Sequence, residues 1–517
     1  MQAAYGRLFY WSQKMTVVQQ GQVNVTAQQV PGVIVQIVPP GPAPVNGVPS
    51  NIGGLVGVGS WGPVGVPVFA TAYNDASVKF GPMQARKYDL MTALWNASQQ
   101  GVVGAYALVR VSDGTDAAAS AVLGTNFVTL TAKYTGTLGN GLSATFTAGT
   151  KASSFKLTLT LPGYPAEVFD NLVGTGAALS AAIVQAINNG NSQLRGPSQL
   201  VTASAGAGTT VPTVPTTATF SGGTDGATTI TGSTLLGVDT TARKGMYALR
   251  MTGASVGALV DCDDSTTYAA QVAFGLSEGV YMVGTGPVGD TIANAISTKA
   301  TAGIDSYSFK LMLGDWVYIN DTVNNQVRLT SPQGFIVGYL ANAAPQNSSL
   351  NKQLYGIVGT QRTVSGQPYA QADLLQLVQA GIDVITNPSP GGPYFSDVLG
   401  LNTSSDQALH EDSYTRLTNY IAYSLNAWGG KFIGRLQGFQ VYDQTRAEAY
   451  AGIAQYMQNM VDAGQIDSYK VTLDKSNNTD SRISQGWMQA DVQARYKAVV
   501  RNFLINLQGG QTTVITK

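Results

Sequence analysis

Residues 53–81 read GGLVGVGSWGPVGVPVFATAYNDASVKFG, and how this stretch is read decides the fold. Within it, Gly57-Val58-Gly59-Ser60-Trp61-Gly62 has the glycine spacing of a dinucleotide-binding loop, and Gly284-Thr285-Gly286-Pro287-Val288-Gly289 has it again downstream. Such a loop needs a strand before it and a helix start after it, because the free N–H groups and dipole of the helix hold the phosphate. Gly62 is followed by Pro-Val-Gly-Val-Pro-Val, which opens no helix. The second match is better placed, but Pro287 removes a donor from the cradle and Asp305 precedes the next strand instead of ending it. In a chain of 60 glycines, such spacings arise without a nucleotide.

At 517 residues the chain is too long for one ordinary core. Its 29 basic and 29 acidic residues cancel, so there is no electrostatic footprint for nucleic acid or an anionic membrane. Charged residues make up only 11% of the chain, against about 25% in an ordinary soluble protein, and none occurs from Met15 to Asn74. That uncharged run is broken by prolines at 31, 39, 40, 42, 44, 49, 63 and 67, so it holds no membrane span of about 18 apolar residues. Leu8 to Trp11 is too short for a signal-peptide core of about 7–15 residues. A surface so poor in charge is expected to be covered by neighbouring copies. One cysteine, Cys262, excludes an intrachain disulfide, and one histidine, His410, removes most hydrolase triads.

Along the chain, residues 1–29 read as an arm with strand-prone Val17-Val18 and alternating Gln22–Thr26. An apolar run, Ile52–Val58, a helix over Tyr88–Gln100 and a strand over Ala105–Val111 follow. Residues 124–226 are rich in Thr, Gly, Ser and Ala, alternate over 127–134, 142–147 and 155–161, and carry one helix over Ala177–Asn188. They read as a β-rich domain inserted into another domain's loop. Alternating signals then resume, with strands at 280–283, 308–313 and 382–386 and helices at 290–301 and 371–380. Thr445-Arg446-Ala447-Glu448 fits a capping box ahead of the stripe Ala449, Ile453, Tyr456 and Met460, with Gly464 as the stop. Strands are expected at 469–473, 488–496 and 503–507. After Gly509-Gly510 comes a strand-prone tail, QTTVITK.

The chemical candidates are thin. Asp261-Cys262-Asp263-Asp264 lacks the spaced oxygen ligands of a calcium loop and reads as a solvated turn. His410-Glu411-Asp412 could be an acid–base pair, but it also suits an acidic helix start. Tyr5, Phe9, Tyr10 and Trp11 fit a partner anchor or arm packing equally well.

The opening stretch also carries a resemblance. Val30-Pro31-Gly32-Val33-Ile34-Val35, then Leu55-Val56-Gly57-Val58, Gly62-Pro63-Val64-Gly65-Val66-Pro67-Val68 and Phe80-Gly81, resembles the start of the tail sheath proteins of contractile-tailed bacteriophages. Tyr134 to Gly141 is similar to the turn of that family's inserted domain, and Gly222-Gly223-Thr224-Asp225-Gly226 to the motif closing it. Ser331-Pro332 through Tyr339 and Arg416 to Ile421 resemble later family segments. The likeness runs through nearly the whole chain. Residues 1–14 lie outside it, Met15 being a family-like start.

The resemblance implies a multidomain α+β and α/β protein. A middle domain would cover 30–123 and 227–370, with the β-rich outer domain 124–226 inserted in it. An inner C-terminal α/β domain, 371–508, would be completed by strands from neighbours. It implies a structural subunit, not an enzyme, without cofactor or metal, polymerised as stacked six-membered rings around a tail tube and contracting to drive that tube through a host envelope. Partners would be other copies, the tube protein, and baseplate and terminator proteins, in a virion tail assembled in host cytoplasm, without direct nucleic-acid contact or membrane insertion. Strand exchange between copies would use the arm 1–29, with Val17, Val18, Val23 and Val25, and the tail 509–517, with Thr512, Thr513, Val514, Ile515 and Thr516. Hinges would be Gly509 and Gly510, and Ala27–Gln29. Tube contact would involve Arg446, Glu448 and Tyr450, although that helix equally suits packing in its own domain. The alternatives are a bacteriocin-like or secretion-type sheath, a static tube or capsid component, and a nucleotide-dependent α/β enzyme using Gly284–Gly289.

Overall fold

The computed structural model of the chain describes residues 17–18, 35–36, 45, 47–191, 195–388, 392–505 and 507. The chain divides into two units, Met1–Asn46 with Trp428–Lys497 and Gly47–Ala427 with Ala498–Lys517.

The larger unit is organised by a six-stranded sheet. In spatial order its strands are Phe309–Met312, Tyr281–Thr285, Val256–Leu259, Ile52–Gly57, Ala105–Arg110 and Pro67–Ala70. Five run parallel, and the last is an antiparallel edge whose first residue is a proline, a position that needs no ladder donor. A parallel sheet must be covered on both faces, and its strands alternate between two cores. Leu55, Tyr106 and Leu108 face one core, closed by the helices Tyr73–Phe80, Leu90–Ser98 and Gln333–Asn342. Val56, Ala107 and Val109 face the other, closed by Tyr268–Glu278, Ile292–Thr301 and Gln371–Ala380. The 88–100 helix is realised as Leu90–Ser98, started by Asp89, whose side chain accepts the Thr92 N–H.

The last of those helices moves a boundary. Leu374 and Leu377 are buried beneath the parallel sheet, and Asp383 bridges to Met312 at its edge. Residues 371–427 therefore belong to the body, and the second unit resumes at Trp428 and not at residue 371.

The β-rich insertion is present. Four antiparallel strands (Glu167–Leu172, Phe155–Thr160, Ser143–Ala148, Thr216–Thr219) and three more (Val201–Ala205, Val128–Ala132, Ser120–Leu123) enclose a core with Phe127, Phe146, Phe169 and the helix Gly176–Asn189. Ser120–Leu123 pairs inside the insertion, so it starts before residue 124, and the Ala117–Thr224 bridge closes its neck.

That neck explains the glycine stretch. Arg110, the last residue of its strand, is fully buried. Its guanidinium donates to Gly62 O (2.8 Å) and Thr135 O (2.7 Å) through one nitrogen and to Asp225 O (3.3 Å) through another. The Asp225 carboxylate accepts Thr137 N (2.6 Å) and pairs with Arg86. Asn140 joins the two insertion motifs by accepting Gly223 N (2.8 Å) and donating to Gly223 O (2.9 Å). Trp61 is buried in the insertion's core and meets Tyr134 edge-on at 5.3 Å. A Cβ at Gly136, where φ is +131°, would fall 2.0 Å from Ser60 O, so the loop approaches the body as only glycine allows. Burial lowers the Arg110 pKa to about 10, which leaves it charged at neutral pH.

In the smaller unit, the helix Gln444–Asp462 packs on the antiparallel pair Ile466–Thr472 and Asp491–Tyr496 through Ala449, Ile453, Tyr456 and Met460. Gly464 follows its end at φ +70°. The capping box is not formed. Asp443 caps the helix by accepting Arg446 N at 3.0 Å, Thr445 donates to Leu436 O, and Glu448 pairs with Arg435. The strand expected at 503–507 is absent among the described residues there.

Arg110→Ala removes a buried cation that serves three carbonyls. A loss of about 3 kcal/mol or more is expected in urea unfolding, with earlier proteolytic cutting at 113–117 and 224–229.

Candidate interaction surface

The nucleotide alternative is the first to be tested by geometry. Gly284–Gly289 does lie between a strand and a helix, but the N–H groups of its glycines at 286 and 289 are already committed. Gly286 N donates to Met312 O (3.0 Å), Gly289 N to Gly314 O (2.9 Å) and Gln361 Oε1 (3.0 Å), and Asp290 N to Pro287 O (3.2 Å). The Trp316 indole N–H occupies Gly286 O at 3.1 Å. A cavity of only about 10 Å³ remains, with the Asp290 side chain on its wall. A phosphate would find little room there and would have to displace the carbonyls that hold Gly286 N and Gly289 N.

The other chemical candidates are dispersed into structural roles. Asp261 accepts Tyr88 N (2.9 Å), Asp263 pairs with Lys87 (2.8 Å) and Asp264 caps Thr266 N (3.0 Å). Burial raises the Cys262 thiol pKa. His410 lies 3.8 Å from Glu411, but Glu411 is held by Arg501 at 2.5 Å. Burial, and then Arg501, lower the His410 pKa. Among the described residues no group of three or more His, Cys, Asp or Glu could hold a metal, and no helix is long and apolar enough to cross a membrane.

The structure instead concentrates unusual features in surface apolar groups. Between the Asp412–Gly429 helix and the Gln444–Asp462 helix, Ile433, Leu436, Phe439, Val441 and Tyr442 all point to solvent, Leu436 with 91% of its area exposed. This loop is firmly built. Arg446, only 2% exposed, donates to Gly438 O (2.7 Å) and Gln440 O. Asp443 accepts Gly438 N (2.7 Å), Thr445 holds Leu436 O (2.7 Å) and Lys475 holds Phe439 O (3.0 Å). Gln437 donates to Trp487 O (2.7 Å), and the Trp487 ring is itself exposed. Fixed backbone beneath exposed apolar side chains is the arrangement of a preorganised contact, with little ordering entropy left to lose on binding. Covering five such side chains is worth on the order of 10 kcal/mol gross, comparable with the cost of association.

Of the three residues expected to meet a tube, Arg446 is thus a brace beneath this loop, because its guanidinium is buried and used. Glu448 is half-buried against Arg435 (2.7 Å), and Tyr450 is exposed on the helix. The loop was missed because LQGFQVY, residues 436–442, has no charge and no helical period, as an ordinary core strand would. The signal was Gly434 and Gly438 beside it, which break a strand.

In the larger unit, Arg501 anchors the chain through Glu411 and through Leu399 O (3.0 Å), and beyond it Phe503, Leu504, Ile505 and Leu507 are exposed. Val17–Val18 pairs in parallel with Val35–Gln36 of the same chain. Val23, Val25, the Ala27–Gln29 hinge, Gly509, Gly510, Thr512, Thr513, Val514, Ile515 and Thr516 lie outside the described residues.

No family model matches the chain, and no curated protein matches it. Solved structures do. The sheath tail protein of Desulfitobacterium hafniense is 16% identical with a TM-score of 0.58, covering 86% of this chain and 94% of its own. The sheath tail protein of Listeria innocua gives 16% and 0.58, covering 86% and 95%. The helical sheath of the anti-feeding prophage in its contracted state gives 14% and 0.53, covering 94% and 100%. The chain has the fold of contractile sheath proteins.

Leu436→Ser with Val441→Ser is expected to change urea stability by less than about 0.5 kcal/mol and to weaken self-association in sedimentation runs. Arg446→Ala strands two carbonyls and is expected to cost about 2 kcal/mol or more in the same titration. Titration calorimetry with common nucleotides is expected to give no binding heat.

Proposed function

We propose that this chain is the repeating subunit of a contractile tail sheath. The observation that supports it most is the breadth of the fold match, which takes in all of a contracted sheath subunit and 94% of this chain. The scarcity of charge and the built apolar loop fit a protein whose surface is buried by its own copies.

In this reading subunits form six-membered rings stacked around a tail tube, with a baseplate at one end and a terminator at the other. The assembly belongs to a virion and forms in the host cytoplasm. Residues 16–26 and 511–517 add strands to the C-terminal units of neighbours, giving backbone bonds that hold while subunits rotate about Gly509-Gly510. The pair Ile466–Thr472 and Asp491–Tyr496 is two strands wide among the described residues and so offers open edges. Contraction then runs on surface buried only in the shorter form, with no nucleotide and no catalytic step. Glu448, Tyr450 and the loop braced by Arg446 form the surface offered to the tube.

The match to the sheath of an extracellular contractile injection system in its contracted state supports a second setting, a bacteriocin-like or secretion-type injection machine. An adjacent capsid gene separates the two.

Deleting residues 511–517 is expected to leave a folded subunit that forms no sheath. Negative-stain microscopy of the full chain should show striated hollow cylinders, and the truncation should show none. Cylinders from the truncation would falsify the exchange.

A further inference from the structure

The strand Phe309–Met312 carries a lysine at a position with no access to water. Lys310 Nζ lies 2.5 Å from Asp383 and 2.8 Å from Asp397, and it also donates to Leu401 O at 3.2 Å. Asp383, Asp397 and a third carboxylate, Asp412, are all fully buried. Asp412 begins the Asp412–Gly429 helix, so the cluster sits at the root of the element along which the chain leaves the larger unit.

The hydrogen bonds fix a proton count. Ser349 Oγ bonds Asp397 Oδ2 and Asp412 Oδ2 at once. A serine hydroxyl has one proton to give, so one of the two carboxyls must supply the proton for the other bond. Asp412 Oδ2 already accepts the Ser349 N–H at 2.9 Å, which makes it the accepting end. Asp383 accepts three backbone donors, Val384 N (2.8 Å), Leu399 N (3.2 Å) and Leu401 N (2.8 Å), besides Lys310. Asp397 has no backbone donor on Oδ2, its Oδ1 has no donor (nor has Asp412 Oδ1), and its carboxyl lies against that of Asp383, so a proton on it serves both neighbours.

We infer that Asp397 carries a resident proton at neutral pH, donated to Ser349 and relayed to Asp412, and that this proton clamps the start of the Asp412–Gly429 helix to the body. The charge balance agrees. One ammonium touches two carboxylates, and the other buried cation nearby, Arg416, is committed to the carbonyls of Ala343, Ala344 and Asn347. The remaining titratable neighbours are Tyr281, whose hydroxyl meets Leu401 O at 3.4 Å, Tyr339, and the Glu411–Arg501 pair; none contributes a further cation to Asp397. Burial, then Asp383, hold the Asp397 pKa well above the carboxylate range, while Lys310 is held above the ordinary lysine value despite burial by Asp383 and Asp397.

The sign follows. An acid whose native pKa exceeds its unfolded value of about 3.9 binds an extra proton on folding, so its contribution falls as pH rises through that window. Alkali thus sets two adjacent buried carboxylates against one ammonium and loosens the helix root, while neutral pH keeps it shut.

Infrared difference spectra of the full-length protein at pH 7 test this. Wild type should show a protonated carboxyl band that Asp397→Asn removes. Urea midpoints should fall from pH 6 to pH 9 more steeply in wild type than in Asp397→Asn, which keeps a neutral donor beside Ser349. A band unchanged in the variant, or equal pH slopes, would overturn the assignment. Should the variant fail to fold, wild type alone decides: a protonated carboxyl band must be present at pH 7, and hydrogen exchange at 412–420 must quicken at whatever higher pH that band is lost; no such band at pH 7, or its loss without faster exchange, would sink the assignment.

Discussion

The join between the parallel sheet and the β-rich insertion depends on a cation placed at the end of a parallel strand. Arg110 closes the strand Ala105–Arg110, where a sheet of this type leaves its carboxyl ends open, and fills that end with protein in place of ligand. Its three carbonyl acceptors come from the Gly57–Gly62 turn and from both motifs that bound the insertion. The glycines that mimic a phosphate loop are thus turns wrapped around a guanidinium, and Trp61 continues from the same turn into the insertion's core. One side chain makes two cores answer to each other.

The same habit recurs. Arg416 closes the end of the Gln333–Asn342 helix, Arg446 braces the apolar loop, and Lys310 is surrounded by carboxylates. A chain already poor in charge therefore spends much of it inside, where each cation serves carbonyls and buried carboxylates. The surface is emptier of charge than composition indicates. That places the electrostatic specificity in the folding of the chain itself.

Much of the architecture was legible, for physical reasons. The runs at Ile52–Val58 and Ala105–Val111 are apolar on successive residues because both faces of a parallel strand are covered. The insertion's strands alternate because one face of each is wet. The C-terminal part was misdivided because the Gln371–Ala380 stripe shows that the helix is buried but not under which sheet. Thr445 and Glu448 fit a capping pattern that Asp443, two residues earlier, satisfies instead. Lys310 in Phe-Lys-Leu-Met and Asp383 in Ile-Asp-Val-Ile were each visible as a charge inside a buried run. Their pairing, 73 residues apart, follows only from strands at the sheet edge. The apolar loop was hidden because exposure is a tertiary property.

The neck of the insertion has a mechanical meaning. Asp113 N bonds Gly226 O, Ala117 and Thr224 exchange backbone bonds, and the Asp113 carboxylate takes the amides of Thr228 and Thr229. Entry and exit are therefore stitched side by side. Because entry and exit leave this antiparallel seam at the same end, drawing them apart opens it bond by bond before any pull reaches the hundred-odd residues beyond. Beyond the contacts of Arg110 and Trp61 at the neck, the lobe can lengthen, shorten or change its outer surface without altering the strands of the six-stranded sheet.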